Sequence, residues 1–248
     1  MIIKSTELKN NLGKYLMDCA KEEIIITRNN RKIAVLRSYK EEPDSFDNKY
    51  DDWEVSDRQA EAFNLEAKTM TFEEFLEFNE NTERIYEYID GEVYLHTAPG
   101  TMHQRAIGEL YVILYNWFKG KKCIPILSPY EIILQRSDDN NNLVQPDLVV
   151  ICDLEEKLNE KDRYKGVPAL VIEIASPSTR SRDAVKKLDL YMSTGVIEYW
   201  IVNPVNEEVT VNFFENGEIS KSRTFRKGET LNSYYFEGLA VKLKKIFT

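Results

Sequence analysis

The sequence lacks the features that mark several common protein classes. No apolar run reaches the roughly 18 residues that a membrane-spanning helix needs, so no span is predicted. The opening MIIKSTELKNN has no apolar signal-peptide core. No P-loop, dinucleotide-binding glycine pattern or nucleophile elbow occurs. We therefore expect a cytoplasmic protein that is neither an ordinary nucleotide-binding enzyme nor a serine hydrolase.

Metal-binding residues of the zinc type are also scarce. The chain has two histidines and three cysteines, and Cys19, Cys123 and Cys152 form no C-x-x-C pair. A structural zinc site is not predicted. We expect three reduced thiols, as in a cytoplasmic protein.

Charge is distributed unevenly along the chain. Residues 1–40 carry nine Lys or Arg against four Asp or Glu, whereas residues 41–68 carry three against ten. A basic head of this kind is suited to nucleic acid. The acidic stretch, which contains Pro43, is typical of a linker, although it could also cover a basic cleft as a mimic of DNA.

Apolar periodicity divides the chain into two parts. In the first, leucines at helical spacing predict a helix over about 6–20, and β-rich runs at 23–27 and 32–36 predict a hairpin, giving a small β-α-β-β unit. In the second, Thr71 and Glu74 form a capping box. The remaining predicted elements are strands on either side of Asp90-Gly91, strand-like runs at 124–134, 147–152, 169–175, 198–202 and 209–214, and helices at about 102–118 and 181–194. This order predicts an α/β or α+β fold with a mixed sheet flanked by helices.

Two carboxylates interrupt apolar strands. Asp147 follows Pro146 at the start of DLVVIC, and Glu173 lies in the middle of ALVIEIA. A buried carboxylate is costly unless it is paired or binds a metal, so such positions favour function. Two of them on neighbouring strands suit Mg²⁺. The alternatives are that Asp147 is a turn residue and that Glu173 pairs with a buried arginine.

The two acids resemble the P-D-(D/E)-x-K nuclease pattern, in which a lysine lies two residues beyond the second acid, on the same strand face. Two residues beyond Glu173, however, the sequence has Ala175. The following helix offers Lys187, which shares one helical face with Asp183 and Tyr191. A lysine that has migrated to this helix would preserve the chemistry. The alternatives are a solvated Lys187 and a Tyr191 that belongs to the core.

The segments YEYIDGEVYLHTAPG, VQPDLVVICD and PALVIEIASPSTRSRDAVKKLDLYMSTGVIEYWIVNP together resemble the Uma-two family. This family belongs to the PD-(D/E)XK, restriction-endonuclease-like superfamily, and the likeness spans about 85–204. The resemblance implies a Mg²⁺- or Mn²⁺-dependent endonuclease. It implies Asp147 and Glu173 as metal ligands, Lys187 as the catalytic lysine, and Glu87, or else Glu92, as an additional acid.

The same resemblance implies further substrate contacts. His103 occupies the histidine position of the family, with a helix cap as the alternative role. Arg180 and Arg182 open a helix whose first backbone N–H groups could meet a phosphate. Glu92 and Tyr191 complete the set of candidate contacts.

The segment STELKNNLGKYL, followed by EEIIITRNNRKIAVL, resembles the N-terminal part of Phd/YefM antitoxins. The resemblance implies a homodimer formed through this part and DNA contacts at Lys9 and Arg28. The alternative is that both are ordinary solvated charges.

These observations predict three parts: an antitoxin-like segment at 1–42, an acidic linker at 43–68 and a nuclease domain at 69–248. The expected function is metal-dependent cleavage of DNA. The alternative is a DNA-binding regulator whose nuclease-like domain is inactive.

Overall fold

The computed structural model describes residues 1–4, 7, 15, 19, 23–28, 31–37, 69–96, 98–159, 164–175 and 180–247. The chain divides into two compact units, Met1–Asn64 and Leu65–Thr248. The boundaries predicted at 42 and 68 stay a prediction, because the acidic stretch lies outside the described residues. None of the described helices is long and apolar enough to cross a membrane.

The first unit contains a three-stranded sheet. Its strands are β1 (Ile2–Lys4), β2 (Ile24–Arg28) and β3 (Arg31–Leu36). They lie in the order β1-β2-β3, with β1 parallel to β2 and β2 antiparallel to β3. The predicted hairpin is therefore confirmed. The helix predicted over about 6–20 lies almost wholly outside the described residues.

The second unit contains four α-helices and twelve strands within its described residues. The helices are α1 (Phe72–Glu80), α2 (Thr101–Phe118), α3 (Leu154–Lys157) and α4 (Arg180–Ser193). The strands are β4 (Tyr86–Ile89), β5 (Glu92–Leu95), β6 (Ile124–Leu127), β7 (Ile132–Ser137), β8 (Asn140–Val144), β9 (Leu148–Ile151), β10 (Leu170–Ile174), β11 (Glu198–Asn203), β12 (Glu208–Glu215), β13 (Glu218–Arg226), β14 (Thr230–Asn232) and β15 (Ala240–Lys242). A 3₁₀ turn, Leu243–Lys245, follows β15.

The strands of this unit form one large and two smaller sheets. The six-stranded sheet has the order β13-β12-β11-β10-β9-β6, with β10 and β11 parallel and the other neighbours antiparallel. A four-stranded antiparallel sheet has the order β5-β4-β8-β7, and β14 pairs with β15. The predicted mixed sheet flanked by helices is confirmed.

Two apolar layers cover the large sheet. On one face, Leu110 and Leu114 of α2 pack with Leu170 and Trp200. On the other, Leu190 of α4 packs in one cluster with Val149, Val171 and Ile132 of the four-stranded sheet. Side chains alternate along a strand, so polar side chains two residues away from Val149 or Val171 on the same strand also face α4.

The predicted capping box at the start of α1 is confirmed. The Glu74 N–H donates to Thr71 Oγ1 at 3.2 Å, and the Thr71 N–H donates to Glu74 Oε2 at 2.8 Å. The predicted turn at Asp90-Gly91 is also present, with both residues at positive φ. Glycine adopts that conformation without strain, and aspartate is among the residues that tolerate it best.

The single strand-like run predicted at 124–134 is wrong. It forms β6 and β7, which belong to different sheets and are separated around Pro129. Proline donates no backbone hydrogen bond, so it interrupts a ladder. Sequence reasoning also missed β8, whose residues are mainly asparagine, and β13, whose charged, exposed residues suit an edge strand.

The prediction of three reduced thiols is wrong for two of the cysteines. Cys123 and Cys152 form a disulfide, with Cα atoms 3.9 Å apart. The reason is the strand register. Ile124 of β6 pairs with Ile151 of β9, so the residues one position further out also face each other. The disulfide removes one argument for a cytoplasmic location.

Candidate active site

Neighbouring strands bring the two candidate acids together. Ile172 of β10 pairs with Leu148 of β9, and the next step of this antiparallel register sets Glu173 opposite Asp147. The Ile174 N–H donates to Asp147 Oδ2 at 2.7 Å. Both carboxylates lie on the sheet face that α4 covers, as the alternation of side chains requires.

A lysine from α4 completes this arrangement. Lys187 Nζ lies 2.9 Å from Glu173 Oε1 and 2.9 Å from the carboxylate of Glu87, which is on β4. The side chains of Lys187, Glu87 and Glu173 are 3%, 6% and 10% exposed. The structure therefore joins three residues that were singled out from sequence and that come from β4, β10 and α4.

Two further groups hold these carboxylates. The hydroxyl of Tyr191, one helical turn after Lys187, donates to Glu173 Oε1 at 2.7 Å. The Gln145 N–H donates to Glu87 Oε1 at 2.8 Å. Sequence reasoning missed Gln145, which contributes only its backbone, and its place just before Pro146-Asp147 was the one available signal. We call Glu87, Glu173, Lys187 and Tyr191 the buried cluster.

Burial dominates the electrostatics of this cluster. Desolvation raises the pKa of Glu173 to about 8, an effect that Lys187 and the hydroxyl of Tyr191 oppose and that Asp147 and Glu87 reinforce. Burial, together with the nearby carboxylates, also raises the pKa of Tyr191 well above its usual value. Tyr191 is therefore a neutral donor, and a cation beside Glu173 would stabilise its ionised form.

His103 supports the first acid. It lies in the first turn of α2, after the N-cap Gly100, and its Nε2 is 3.1 Å from Asp147 Oδ2. Its Nδ1 is buried and has no hydrogen-bond partner among the described residues. Asp147 Oδ2 therefore has two contacts, one with His103 of α2 and one with the Ile174 N–H of β10.

The remaining candidate residues are not part of the buried cluster. Glu92 accepts a hydrogen bond from Lys186 at 2.6 Å instead. Arg180 and Arg182 belong to the first turn of α4, but their side chains lie outside the described part of the chain. The same holds for the side chain of Arg28 on β2, and Lys9 lies wholly outside the described residues.

The donor set near Asp147 suits a hard cation. Within the part of the chain that the structure describes, neither Asp147 Oδ1 nor Glu173 Oε2 takes a hydrogen bond. In the described ranges, no three His, Cys, Asp or Glu side chains are grouped so as to hold a metal ion by themselves. Mg²⁺ needs only one or two carboxylates, because it keeps several waters and takes substrate phosphate as a ligand. The arrangement fits such an ion.

Another buried carboxylate of the six-stranded sheet, Glu198, has a structural role. Glu198 of β11 is fully buried, and it accepts hydrogen bonds from the indole N–H of Trp200, the hydroxyl of Ser233 and the N–H groups of Tyr234 and Tyr235. Burial raises its pKa, which these four donors oppose. All four donors belong to the protein itself, and three of them come from the segment after β14. Glu198 therefore holds that segment against β11.

A cavity of about 460 Å³ lies apart from the buried cluster, at the start of α1. Four carboxylate residues line it, namely Glu73, Asp90, Asp138 and Asp139. An anionic nucleic acid would be repelled there. The cavity is therefore a poor candidate for a substrate site.

Comparison with known proteins agrees with the geometry. The sequence model of the Uma2 (Uma-two) family, described as "Putative restriction endonuclease", matches residues 72–244. The chain belongs to the Uma2 family. Residues 1–68 match the model of the Phd/YefM antitoxins of type II toxin–antitoxin systems, so the N-terminus of this Uma2 protein is antitoxin-like. Both predicted family resemblances are confirmed.

One sequence relative and one solved structure are also similar to this chain. An uncharacterized protein of Synechocystis sp. is 27% identical over 138 residues, which cover 55% of this chain and 70% of the relative. A crystal structure of a "putative nuclease belonging to DUF820" from Anabaena variabilis is similar with a TM-score of 0.58 and 21% identity. The match covers 72% of this chain and 97% of that chain. The Uma2 domain therefore shares its fold with that protein.

Proposed function

We propose that this Uma2 protein hydrolyses phosphodiester bonds of DNA with the help of Mg²⁺ or Mn²⁺. The observation that carries the proposal is the burial of Lys187 between Glu87 and Glu173, the second of which lies opposite Asp147 on the neighbouring strand. These are the residue types that such hydrolysis needs. They meet although they are far apart in the sequence.

Stability alone does not account for this cluster. An ion pair buried in protein loses its hydration, and hydrophobic residues of the same volume are often as stable or more so. Two carboxylates that share one lysine would carry a surplus negative charge if both were ionised, and the raised pKa of Glu173 reflects the cost of that charge in an apolar surrounding. Such an arrangement is characteristic of functional sites, where a cation or substrate supplies the missing charge.

Each residue has a distinct part in the proposal. Asp147 and Glu173 would hold the cation, and His103 would fix the orientation of Asp147. A bound Mg²⁺ supplies charge neutralisation at the phosphate and lowers the pKa of water. Glu87 and Tyr191 hold Lys187 and Glu173 in place. The assignment of Glu87 as a third metal ligand stays a prediction, since its oxygens contact Lys187 and the Gln145 N–H.

Lys187 would act on the reacting atoms. Hydrolysis forms a bond between a water oxygen and phosphorus and breaks one bond between phosphorus and an ester oxygen. The leaving oxygen takes a proton, and the attacking water loses one. The ammonium of Lys187 would orient the attacking water and stabilise the negative charge that develops on the phosphate oxygens.

The family description, "Putative restriction endonuclease", supports DNA as the substrate. The neighbour from Anabaena variabilis is titled a "putative nuclease", which agrees with cleavage of nucleic acid but names no substrate. We also propose that the chain has three parts. They are the antitoxin-like head at 1–42, the linker at 43–68 and the nuclease domain at 69–248.

The test is cleavage of supercoiled plasmid and of single-stranded DNA by the full-length protein, with Mg²⁺, with Mn²⁺ and with a chelator. We expect metal-dependent cleavage that Asp147→Asn, Glu173→Gln and Lys187→Met each abolish. Glu198→Gln is the matched control, because it removes another buried carboxylate of the same sheet that lies outside the site. It should lower thermal stability and still permit cleavage.

Two outcomes would contradict the proposal. One is wild-type protein that cuts neither DNA with either metal. The other is cutting that persists in the chelator or in the Asp147→Asn variant, which would point to a contaminating nuclease or a different site.

A second function is favoured by the head of the chain. Its match to Phd/YefM antitoxins and its surplus of Lys and Arg support binding of operator DNA by a homodimer. In this alternative the Uma2 domain is inactive. Full-length Asp147→Asn protein should retard DNA from its own promoter region, and Lys9→Ala with Arg28→Ala should release it. Equal retardation of unrelated DNA would argue against an operator.

A further inference from the structure

A second polar cluster lies at the surface beside the buried one. Lys186 Nζ is 2.6 Å from Glu92 Oε2 and 2.6 Å from the hydroxyl of Tyr94, and that hydroxyl also donates to Glu92. The side chains of Lys186 and Glu92 are 31% and 34% exposed. We call these three residues the rim cluster. The rim cluster is therefore more exposed to solvent than the buried cluster.

The fold sets the rim cluster next to the reacting groups. Tyr94 of β5 is the direct cross-strand partner of Glu87 on β4, so the two side chains share one sheet face. Lys186 precedes Lys187 on α4, and both helical lysines reach over the same β4–β5 hairpin. A polymer that entered the site would therefore meet the rim cluster immediately outside it.

The donors of the rim cluster are of the kind that bind phosphate. Burial acts to lower the pKa of Lys186, but the hydrogen bonds with Glu92 and Tyr94 raise it by more, so the ammonium persists at neutral pH. Burial and Glu92 raise the pKa of Tyr94, whose phenol stays neutral and able to donate. An ammonium and a hydroxyl thus converge on one anionic oxygen, which in this structure belongs to Glu92.

We propose that the rim cluster is a phosphate subsite of the Uma2 domain, and that it binds the phosphodiester next to the one that is cleaved. Glu92 occupies this subsite as an internal anion, and a substrate phosphate displaces it from Lys186 and Tyr94. The inference rests on the proposed function, because it takes DNA as the substrate. It assigns Lys186 and Tyr94 to substrate binding and Glu92 to restraint of that binding.

The contrasting explanation is that the trio only braces α4 against β5. The two explanations differ in the sign of one effect. If the trio only braces α4, a change of either Lys186 or Glu92 destabilises the domain, and DNA binding weakens in both variants. A phosphate subsite loses affinity when Lys186 is changed, but it gains affinity when Glu92 is neutralised, because a competing anion has been removed.

The experiment measures binding of labelled single-stranded and duplex oligonucleotides by fluorescence anisotropy, over a range of NaCl concentrations and in a chelator. The protein is full-length and carries Asp147→Asn, so that no cleavage interferes. We expect Lys186→Gln to weaken binding and to reduce the slope of log affinity against log salt by about 1, as for one lost phosphate contact. We expect Glu92→Gln to tighten binding, and Lys186→Arg to retain the wild-type slope because it keeps the charge.

A matched pair of control variants is available elsewhere in the domain. Lys227 and Glu207 form an exposed ion pair with the same 2.6 Å separation. Lys227→Gln and Glu207→Gln should leave both affinity and salt slope unchanged. Circular dichroism of each variant excludes misfolding as the cause of a change.

The possible failures are distinct. If the Asp147→Asn protein without a further change bound neither oligonucleotide, the proposed DNA substrate would be overturned and the subsite with it. Binding that is the same in Lys186→Gln, or that weakens in Glu92→Gln, would overturn the subsite alone and leave the proposed function standing.

Discussion

Two adjacent lysines of α4 have opposite surroundings. Lys187 is 3% exposed and lies between carboxylates from β4 and β10, whereas Lys186 is 31% exposed and contacts Glu92 and Tyr94 of β5. Both have carboxylate partners within 3 Å. The difference is desolvation, which makes an interaction inside the domain far stronger than the same contact at its edge. Proximity to an acid therefore does not by itself define a lysine's role.

The largest expected effect separates the two lysines directly. Lys187→Met should lower the free energy of unfolding by about 3–5 kcal/mol, because it leaves Glu87 and Glu173 buried without their cation. Lys186→Met should lower it by less than about 1 kcal/mol, as for an exposed pair. Urea denaturation of the two variants gives the comparison. Equal losses would show that the two environments do not differ as described.

The pH dependence of stability gives a second comparison. Without metal, the pKa of Glu173 is raised to about 8 in the folded protein, above its value in the unfolded chain. The stability that it contributes is therefore complete below about pH 4.5 and is lost as the pH rises through about 8. Between these limits, in a chelator, the unfolding free energy of wild type should decrease more steeply with pH than that of Glu173→Gln. Parallel curves from urea denaturation would contradict the raised pKa.

The contact of His103 with Asp147 predicts a smaller effect, on metal affinity. Groups that orient a ligand typically change metal binding by about 10–100-fold. His103→Ala should weaken Mn²⁺ binding by that factor in calorimetry, and His103→Gln should restore part of it, since its amide can still donate to Asp147. His96→Ala is the control, because it removes the other histidine of the chain. Unchanged Mn²⁺ affinity in His103→Ala would exclude a positioning role.

The smallest expected effect is at the rim. Tyr94→Phe removes one hydroxyl that contacts both Lys186 and Glu92 in a partly exposed place. We expect a loss of about 0.5–1.5 kcal/mol in the free energy of unfolding. Tyr115→Phe, at an exposed position of α2, should cost nothing measurable. A loss as large as that of Lys187→Met would mean that the rim is part of the core.

Much of the candidate site could be predicted from the sequence, because its signals lie within short segments of the chain. A carboxylate inside an apolar run, as at Glu173, is conspicuous in any reading of the strand. Asp147 follows a proline at the start of another such run. The helix that carries Lys187 and Tyr191 was visible from periodicity, and the i, i+4 spacing of the pair indicated a shared face.

Other parts of the site had no local signal. The sequence indicated no role for Lys186, and it gave Glu87 as the first choice of additional acid with Glu92 as the alternative. Those two acids do not share a position in the hairpin, since Glu87 pairs with Tyr94 and Glu92 pairs with Ile89. The disulfide was missed for the same reason, because it depends on the register between β6 and β9.

The sequence by itself determined most of the segments that fold as strands and helices, and it singled out the buried acids and the α4 lysine as candidates for metal-dependent chemistry. Alternation, periodicity and capping are properties of neighbouring residues, so they can be read without coordinates. Only the tertiary structure decided that Glu87 rather than Glu92 shares Lys187 with Glu173, and that Lys186 faces the rim. The Lys186–Glu92 and Lys187–Glu87 contacts join residues 94 and 100 positions apart. Only the packing of α4 against the β4–β5 hairpin brings such residues within hydrogen-bond distance.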